Sequence, residues 1–310
     1  MGTIMTIRGE TEGEDLGIVD YHEHLCFDAP PWLLREDPDF RLNDVEKSAQ
    51  ELRSWVDAGG KTIIEMSAID FGRNIHSTKQ VAELVPDANV IVITGFNKPY
   101  FCDQSVWQSN ESDLVHRCIQ DIVEGIDGTG IKAGIMKGGT GYNTFNDYDQ
   151  KLMRIAAKVQ RETNVPIITH TEAGTMGFEQ VEFLNDHGVE PHRVCLSHLD
   201  RNPDFWEHQR IAKTGAYLGY DCPGKSKYGP DEWRIDLLKR LIAAGFSQQI
   251  LLGNDLGRPS YWRSYGGGPG LDFILTQFVP RLLSQGIEQH CPQIQPFLAG
   301  IRQIRRCFGL

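Results

Sequence analysis

Gly17-Ile18-Val19-Asp20-Tyr21-His22-Glu23-His24-Leu25 is a short apolar run that ends in two histidines one residue apart. In an extended strand alternate side chains share a face, so His22 and His24 point to one side and can grip one ion, while Glu23 points away. Taken alone, the pair reads equally well as loop surface. Its meaning depends on what the rest of the chain brings to it.

Seven further β-rich runs follow at intervals: Lys61 to Met66, Val90 to Gly95, Lys132 to Lys137, Pro166 to His170, Val194 to His198, Ala216 to Asp221 and Gln249 to Asp255. Between them lie amphipathic helical patterns over Asn43 to Ala58, Ser77 to Val85, Ser112 to Gly125, Tyr148 to Thr163, Met176 to His187, Asp204 to Thr214 and Asp231 to Ala244. Several stop at a glycine (Gly59, Gly188, Gly215, Gly245), the residue that most easily takes the left-handed turn closing a helix. Alternating strands and helices predict a parallel sheet, and eight repeats predict its closure into a TIM barrel, a (β/α)₈ fold of the α/β class. No linker or low-complexity tract marks a second domain, so residues 1–310 read as one barrel domain, with Gly266 to Leu310 as the eighth helix and a short C-terminal cap.

The composition sets outer limits. A chain of 310 residues with 40% hydrophobic and 24% charged content can bury a sizeable core. It holds no apolar run long enough for a membrane span, and the start, Met1 to Gly9, has no apolar segment of signal-peptide length, so the expected compartment is the cytoplasm. Seven scattered cysteines without a Cys-x-x-Cys pair argue against a disulfide framework and a thiolate zinc site. A net charge of −11 argues against a nucleic-acid partner but leaves room for a small anionic substrate held by a local cluster.

In such barrels the catalytic groups sit where strands run into the loops that follow them. The predicted strand ends carry His22 with His24, Lys137, His170, His198 and Asp255. Any one of them alone reads more readily as a structural residue. Together on one rim they form a ligand set suited to Zn²⁺, with Mn²⁺ or Co²⁺ as alternatives. So many groups crowd a single ion, which points to two ions and a bridge between them. Lys137 can bridge only if CO₂ adds to its amine and makes a carbamate.

These residues, in this order, resemble the phosphotriesterase-like branch of the amidohydrolase superfamily, over about Gly17 to Phe278. The resemblance implies a binuclear hydrolase in which His22, His24 and Asp255 take the more buried ion and His170 and His198 the other. A carboxylated Lys137 and a hydroxide would bridge the two ions. By the same implication the bridging hydroxide attacks a substrate polarised by the second ion, and Asp255 is the catalytic proton shuttle. Many barrels of that family pair as homodimers, which the sequence leaves open here.

The last two loops bear on the substrate, since loops 7 and 8 commonly hold phosphate in barrels. They contain Lys227 in Asp221 to Pro230, and Arg258 and Tyr261 in Leu256 to Gly270: an ammonium, a guanidinium fork and a phenol that would suit a phosphoryl group. Their pattern, with Ile131 to Gly134 leading into Lys137 to Tyr142, looks like the subgroup that opens phosphorylated sugar γ-lactones. That resemblance assigns Lys227, Arg258 and Tyr261 to a 5-phosphate, with Lys225 as a secondary candidate. Lys98 and Tyr100 in the third loop stand near the expected ring position without an assigned role.

Other readings are kept. Unphosphorylated or N-acyl homoserine lactones fit the same metal centre but leave the cationic loops nothing to hold. A phosphotriesterase proper needs apolar pockets for its ester arms, and a catalytically silent metal-binding barrel would carry the ligands without turnover. A related subgroup that cleaves N-acylated amino compounds uses glutamate as the bridge, where this chain has Lys137. Cys291 to Leu310 departs from the family by lacking an expected Asn-Pro segment. His76, His116, His187, His192, His208 and His290 read as surface or structural, Trp206 and Trp233 as packing, and Trp262 as a wall of the pocket.

Overall fold

A computed structural model describes residues 3–287. Eight parallel strands, β1 (Val19–Glu23), β2 (Thr62–Glu65), β3 (Asn89–Gly95), β4 (Ile135–Gly139), β5 (Ile167–His170), β6 (Val194–Ser197), β7 (Tyr217–Tyr220) and β8 (Ile250–Leu252), pair each with the next. The seam between β8 and β1 is drawn together by the Asp255 amide donating to the His22 carbonyl at 2.8 Å and by the Asn254 side chain on Asp20 at 2.7 Å. The fold is the TIM barrel that the strand and helix alternation predicts. All eight expected strands and the seven expected helices are present, with ends displaced by a few residues.

The helices form where local chemistry favours them. Asn146 and Asp149 make a reciprocal capping box at the start of helix Asp147–Thr163, and Asp44 caps Val45–Asp57 by accepting from the Lys47 amide at 3.1 Å. The first then packs Leu152, Met153, Ile155, Ala156 and Val159 against the sheet. Truncating one such buried leucine to alanine costs about 2–5 kcal/mol. The glycines expected to end helices, Gly59, Gly188, Gly215 and Gly245, all have positive φ.

Three features differ from expectation. Lys137 is not the last residue of its strand, because β4 continues to Gly139, opposite His170. An antiparallel hairpin, Thr3–Thr6 with Gly9–Glu12, sits below the barrel and donates the Ile7 amide to Val90 at the base of β3. The eighth helix begins as a π-helical stretch, Ile274–Phe278, and runs into Val279–Ser284. The expected cap, with His290 and the Cys291 to Leu310 segment, lies outside the described residues.

Candidate metal centre and active-site cavity

Five of the six candidate ligands meet in direct contacts at the C-terminal mouth of the barrel, and the sixth acts on them as a charge. The Asp255 carboxylate lies 3.6 Å from His22 Nε2, 3.5 Å from His24 Nε2 and 3.8 Å from His198 Nδ1. The His198 ring lies 4.6 Å from the His170 ring and 4.9 Å from the His22 ring, centroid to centroid. Lys137 is wholly buried beneath them. Its charge helps lower the His22 pKa and is itself favoured by Asp221 and Asp255.

The backbone is bent to make this meeting. His198 and Asp255 both sit in the left-handed region, with φ of 62° and 48°, which costs a residue with a side chain roughly 1–3 kcal/mol. Asp255 is held there by its amide bond to His22, and His198 by the Asp221 carboxylate behind its amide at 3.3 Å. Gly257 allows the next turn to approach, since a Cβ there would come within 2.9 Å of the His24 ring.

The donor set fits divalent metal ions. Three of the histidines spend one ring nitrogen on a partner set back from the mouth: His22 Nδ1 on Asp221 and Ser197, both at 3.0 Å, His24 Nδ1 on Ser67 at 2.9 Å, and His198 Nδ1 on Asp221 at 2.7 Å. His170 spends Nε2 on Glu172 at 3.1 Å. One nitrogen of each ring is left for an ion, the arrangement in which an outer partner sets tautomer and ring orientation. Burial, aided by the Lys137 charge, lowers His22 from 6.5 to about 3, and burial with the neighbouring Lys98 holds His170 well below its ordinary value, so both rings are neutral. Burial opposes the charges of Asp255 and Asp221. The Lys225 ammonium and His198 nevertheless hold Asp255 well below the usual carboxylate range, and His198 and His22 do the same for Asp221.

Lys137 has the chemistry that carbamate formation requires. Burial lowers its pKa from 10.5 to about 8 against the pull of Asp221 and Asp255, which raises the share of free amine.

A cavity of about 430 Å³ opens above this centre. His24, His170 and Asp255 form part of its lining, with Lys225, Tyr228, Arg258 and Tyr261 from the last two loops. Arg258 reaches Asp37 at 2.5 Å and lies over the Phe40 ring at 3.9 Å. The Tyr261 hydroxyl is buried with no hydrogen-bond partner among the described residues, a cost of about 1–3 kcal/mol that a bound acceptor would remove. Lys227, expected in the clamp, is exposed and is not part of the lining; its ammonium lies 5.0 Å from the Tyr261 ring. Partial burial, then Arg258 and Lys225, lower its pKa.

A model of the phosphotriesterase family matches residues 2–297 of this chain. The chain belongs to the phosphotriesterase family. Like other members it is a hydrolase, and its buried histidine and aspartate clusters fit the binuclear metal site typical of the family. A phospho-furanose lactonase of Mycoplasmopsis agalactiae is 35% identical over 92% of this chain and 86% of its own length. A lactonase of Listeria monocytogenes superposes with a TM-score of 0.93 at 32% identity, covering 99% of both chains. The phosphotriesterase homology protein of Escherichia coli, whose structure holds phosphate in the active site, superposes at 0.88 with 31% identity, over 94% of this chain and 98% of its own.

Against this family frame, several side chains depart from their expected places. Lys225 does not lie beside Lys227 on an extended face; it turns inward and donates to the Asp255 carboxylate at 2.9 Å. Trp262 does not wall the cavity. It is buried and donates its indole N–H to the Leu256 carbonyl at 2.7 Å, bracing loop 8. Trp206 is 62% exposed and lies beside Arg210. His208 is structural, buried between Tyr220 and Asn202.

Two residues went unread in the sequence. Asp221, which backs two ligand histidines, ends the predicted seventh strand, so the strand-end rule itself could have found it. Glu172 follows His170 by two residues and has no signal beyond that proximity.

Proposed function

We propose that this family member opens the ring of a sugar 1,4-lactone 5-phosphate. What carries the reading is one observation: His24 and Asp255, which cluster with His22, line a cavity together with His170, and the same cavity's wall bears Arg258 and Tyr261 with its unpartnered hydroxyl. The similarity to a phospho-furanose lactonase supports the same substrate class.

In this reading His22, His24 and Asp255 would hold one divalent ion and His170 and His198 the other, with a carboxylated Lys137 as a further ligand. Zn²⁺ suits these donors, with Mn²⁺ or Co²⁺ as alternatives. When bound, such ions polarise the lactone carbonyl and make water a nucleophile near neutral pH. Asp255 accepts the proton that the attacking water gives up and delivers it to the ring oxygen as the acyl C–O bond breaks, leaving a free hydroxy acid. Arg258 and Tyr261, with the exposed Lys227 near them, hold the 5-phosphate and so place the carbonyl over the centre. Arg258 must leave Asp37 or share it, which makes the clamp one that the ligand completes.

The compartment we propose is the cytoplasm, and no described helix is long and apolar enough to cross a membrane. We take the whole chain as one catalytic unit acting on a small anionic substrate, without nucleic acid; a homodimer is compatible with this site.

A pH-indicator assay with sugar lactones, each with and without the 5-phosphate, tests the reading. A large gain in kcat/KM from the phosphate is expected. Equal turnover of both forms would rule out the phosphate clamp.

A further inference from the structure

The loops after β3, β5 and β6 bring Lys98, Glu172 and Arg201 together on the cavity wall. Lys98 Nζ is hydrogen-bonded to Glu172 Oε2, and Arg201 meets Glu172 Oε1 at 3.1 Å. All three side chains are mostly buried, at 14%, 23% and 17% exposure. The wall is braced from behind. The buried Asp70 carboxylate accepts from the Asn97 amide at 2.8 Å and the Lys98 amide at 3.4 Å, and Arg201 lies over the Tyr228 ring at 4.2 Å. Three charges held so far from water are a poor way to tie loops together, because desolvation opposes them and apolar packing would serve as well.

We propose that Lys98, Glu172 and Arg201 form the subsite that recognises the C2 and C3 ring hydroxyls of the substrate. This rests on the sugar-lactone reading above and deepens it. In a 1,4-lactone the reacting carbonyl and the C4 arm flank the ring oxygen, and the C2–C3 edge lies across the ring from it. A ring held by its carbonyl at the histidine centre and by its arm at Arg258 and Tyr261 turns that edge toward the remaining polar wall. A hydroxyl both donates and accepts. Glu172 offers acceptor lone pairs, while Lys98 and Arg201 retain donors beyond those spent on Glu172.

The test uses the metal-loaded enzyme and the 5-phosphorylated lactone beside its 2-deoxy and 3-deoxy analogues. Wild type is expected to lose about tenfold or more in kcat/KM for each missing hydroxyl, because the buried charges lose a partner. Lys98→Met and Arg201→Met are expected to slow the hydroxylated substrate more than the deoxy analogues, shrinking that discrimination below about threefold. Glu172→Gln, which keeps an acceptor, should retain part of it. Wild type handling the deoxy analogues within threefold of the parent overturns the proposal, as does a variant that slows all substrates by one factor. The wild-type panel alone decides if a variant does not fold. The phosphate gain, measured in the same panel, reports separately on the clamp, so the two readings fail independently.

Discussion

Lys225 donates its ammonium to the Asp255 carboxylate at 2.9 Å and to the Asp255 carbonyl at 2.8 Å, from a side chain that water does not reach. Burial alone would lower the Lys225 pKa, but the Asp255 charge raises it, so the pair is ionic. Lys225→Met should destabilise the protein prepared with chelator by about 1–3 kcal/mol, because the Asp255 carboxylate, though partly open to the cavity, loses its cation. Saturating Zn²⁺ should recover most of the loss by giving Asp255 another cation. Urea unfolding with chelator and with Zn²⁺ measures both; no loss in either condition would deny the pair its structural weight.

Asp221 accepts from His22 and His198 at once. An asparagine would present its NH₂ to one of those rings and favour the wrong tautomer. Asp221→Asn should weaken metal affinity by about 10- to 100-fold with little change in fold. Competition with a chromophoric chelator reads the constant directly, and an unchanged value would mean that Asp221 does not orient the His22 and His198 rings for the ion.

His208 supplies a pH dependence away from the centre. Burial lowers its pKa from 6.5 to about 4. Its neutral ring therefore contributes full stability above pH 6.5, and the contribution fades as pH falls toward 4, because the unfolded chain binds the proton first. The window is worth about 3 kcal/mol. His208→Gln should be less stable than wild type at pH 7, with the gap narrowing as pH drops to 4.5. Parallel unfolding curves at both pH values would contradict this.

Arg258→Ala should remove most of the kcat/KM gained from a substrate 5-phosphate, about 10- to 100-fold, while changing turnover of the unphosphorylated lactone far less. Asp37 pulls the other way. Burial would raise its pKa, yet the Arg258 hydrogen bond holds it below the usual range. Asp37→Asn should therefore free Arg258 and lower KM for the phosphorylated substrate. An Arg258→Ala enzyme that keeps the full phosphate gain would place the phosphate elsewhere.

What could be read in the sequence was local or periodic. The His22-x-His24 pair and the strand runs announce themselves over a few residues, and the barrel follows from their alternation. Asp221 stands at a predicted strand end and Glu172 looks like an ordinary acidic residue in a turn, and only the closed sheet shows which histidines they face. Lys227, and secondarily Lys225, are expected on one face if the loop stays extended, but the turn at Ser226–Tyr228 sends Lys225 to Asp255 and Lys227 toward Tyr261. Trp262 suggested a pocket wall by its neighbours in sequence, yet its indole N–H needed a buried acceptor and found it at Leu256. The N-terminal hairpin is made of two strands of four residues each, too short for its alternation to stand out in the sequence.

The most direct test of the account is metal titration of protein stripped by chelation, with lactone hydrolysis followed at each addition. Two equivalents of Zn²⁺ per chain should bind, and activity should rise with them to a plateau. Full turnover by protein verified as metal-free, or no tight binding of any divalent ion, would contradict it.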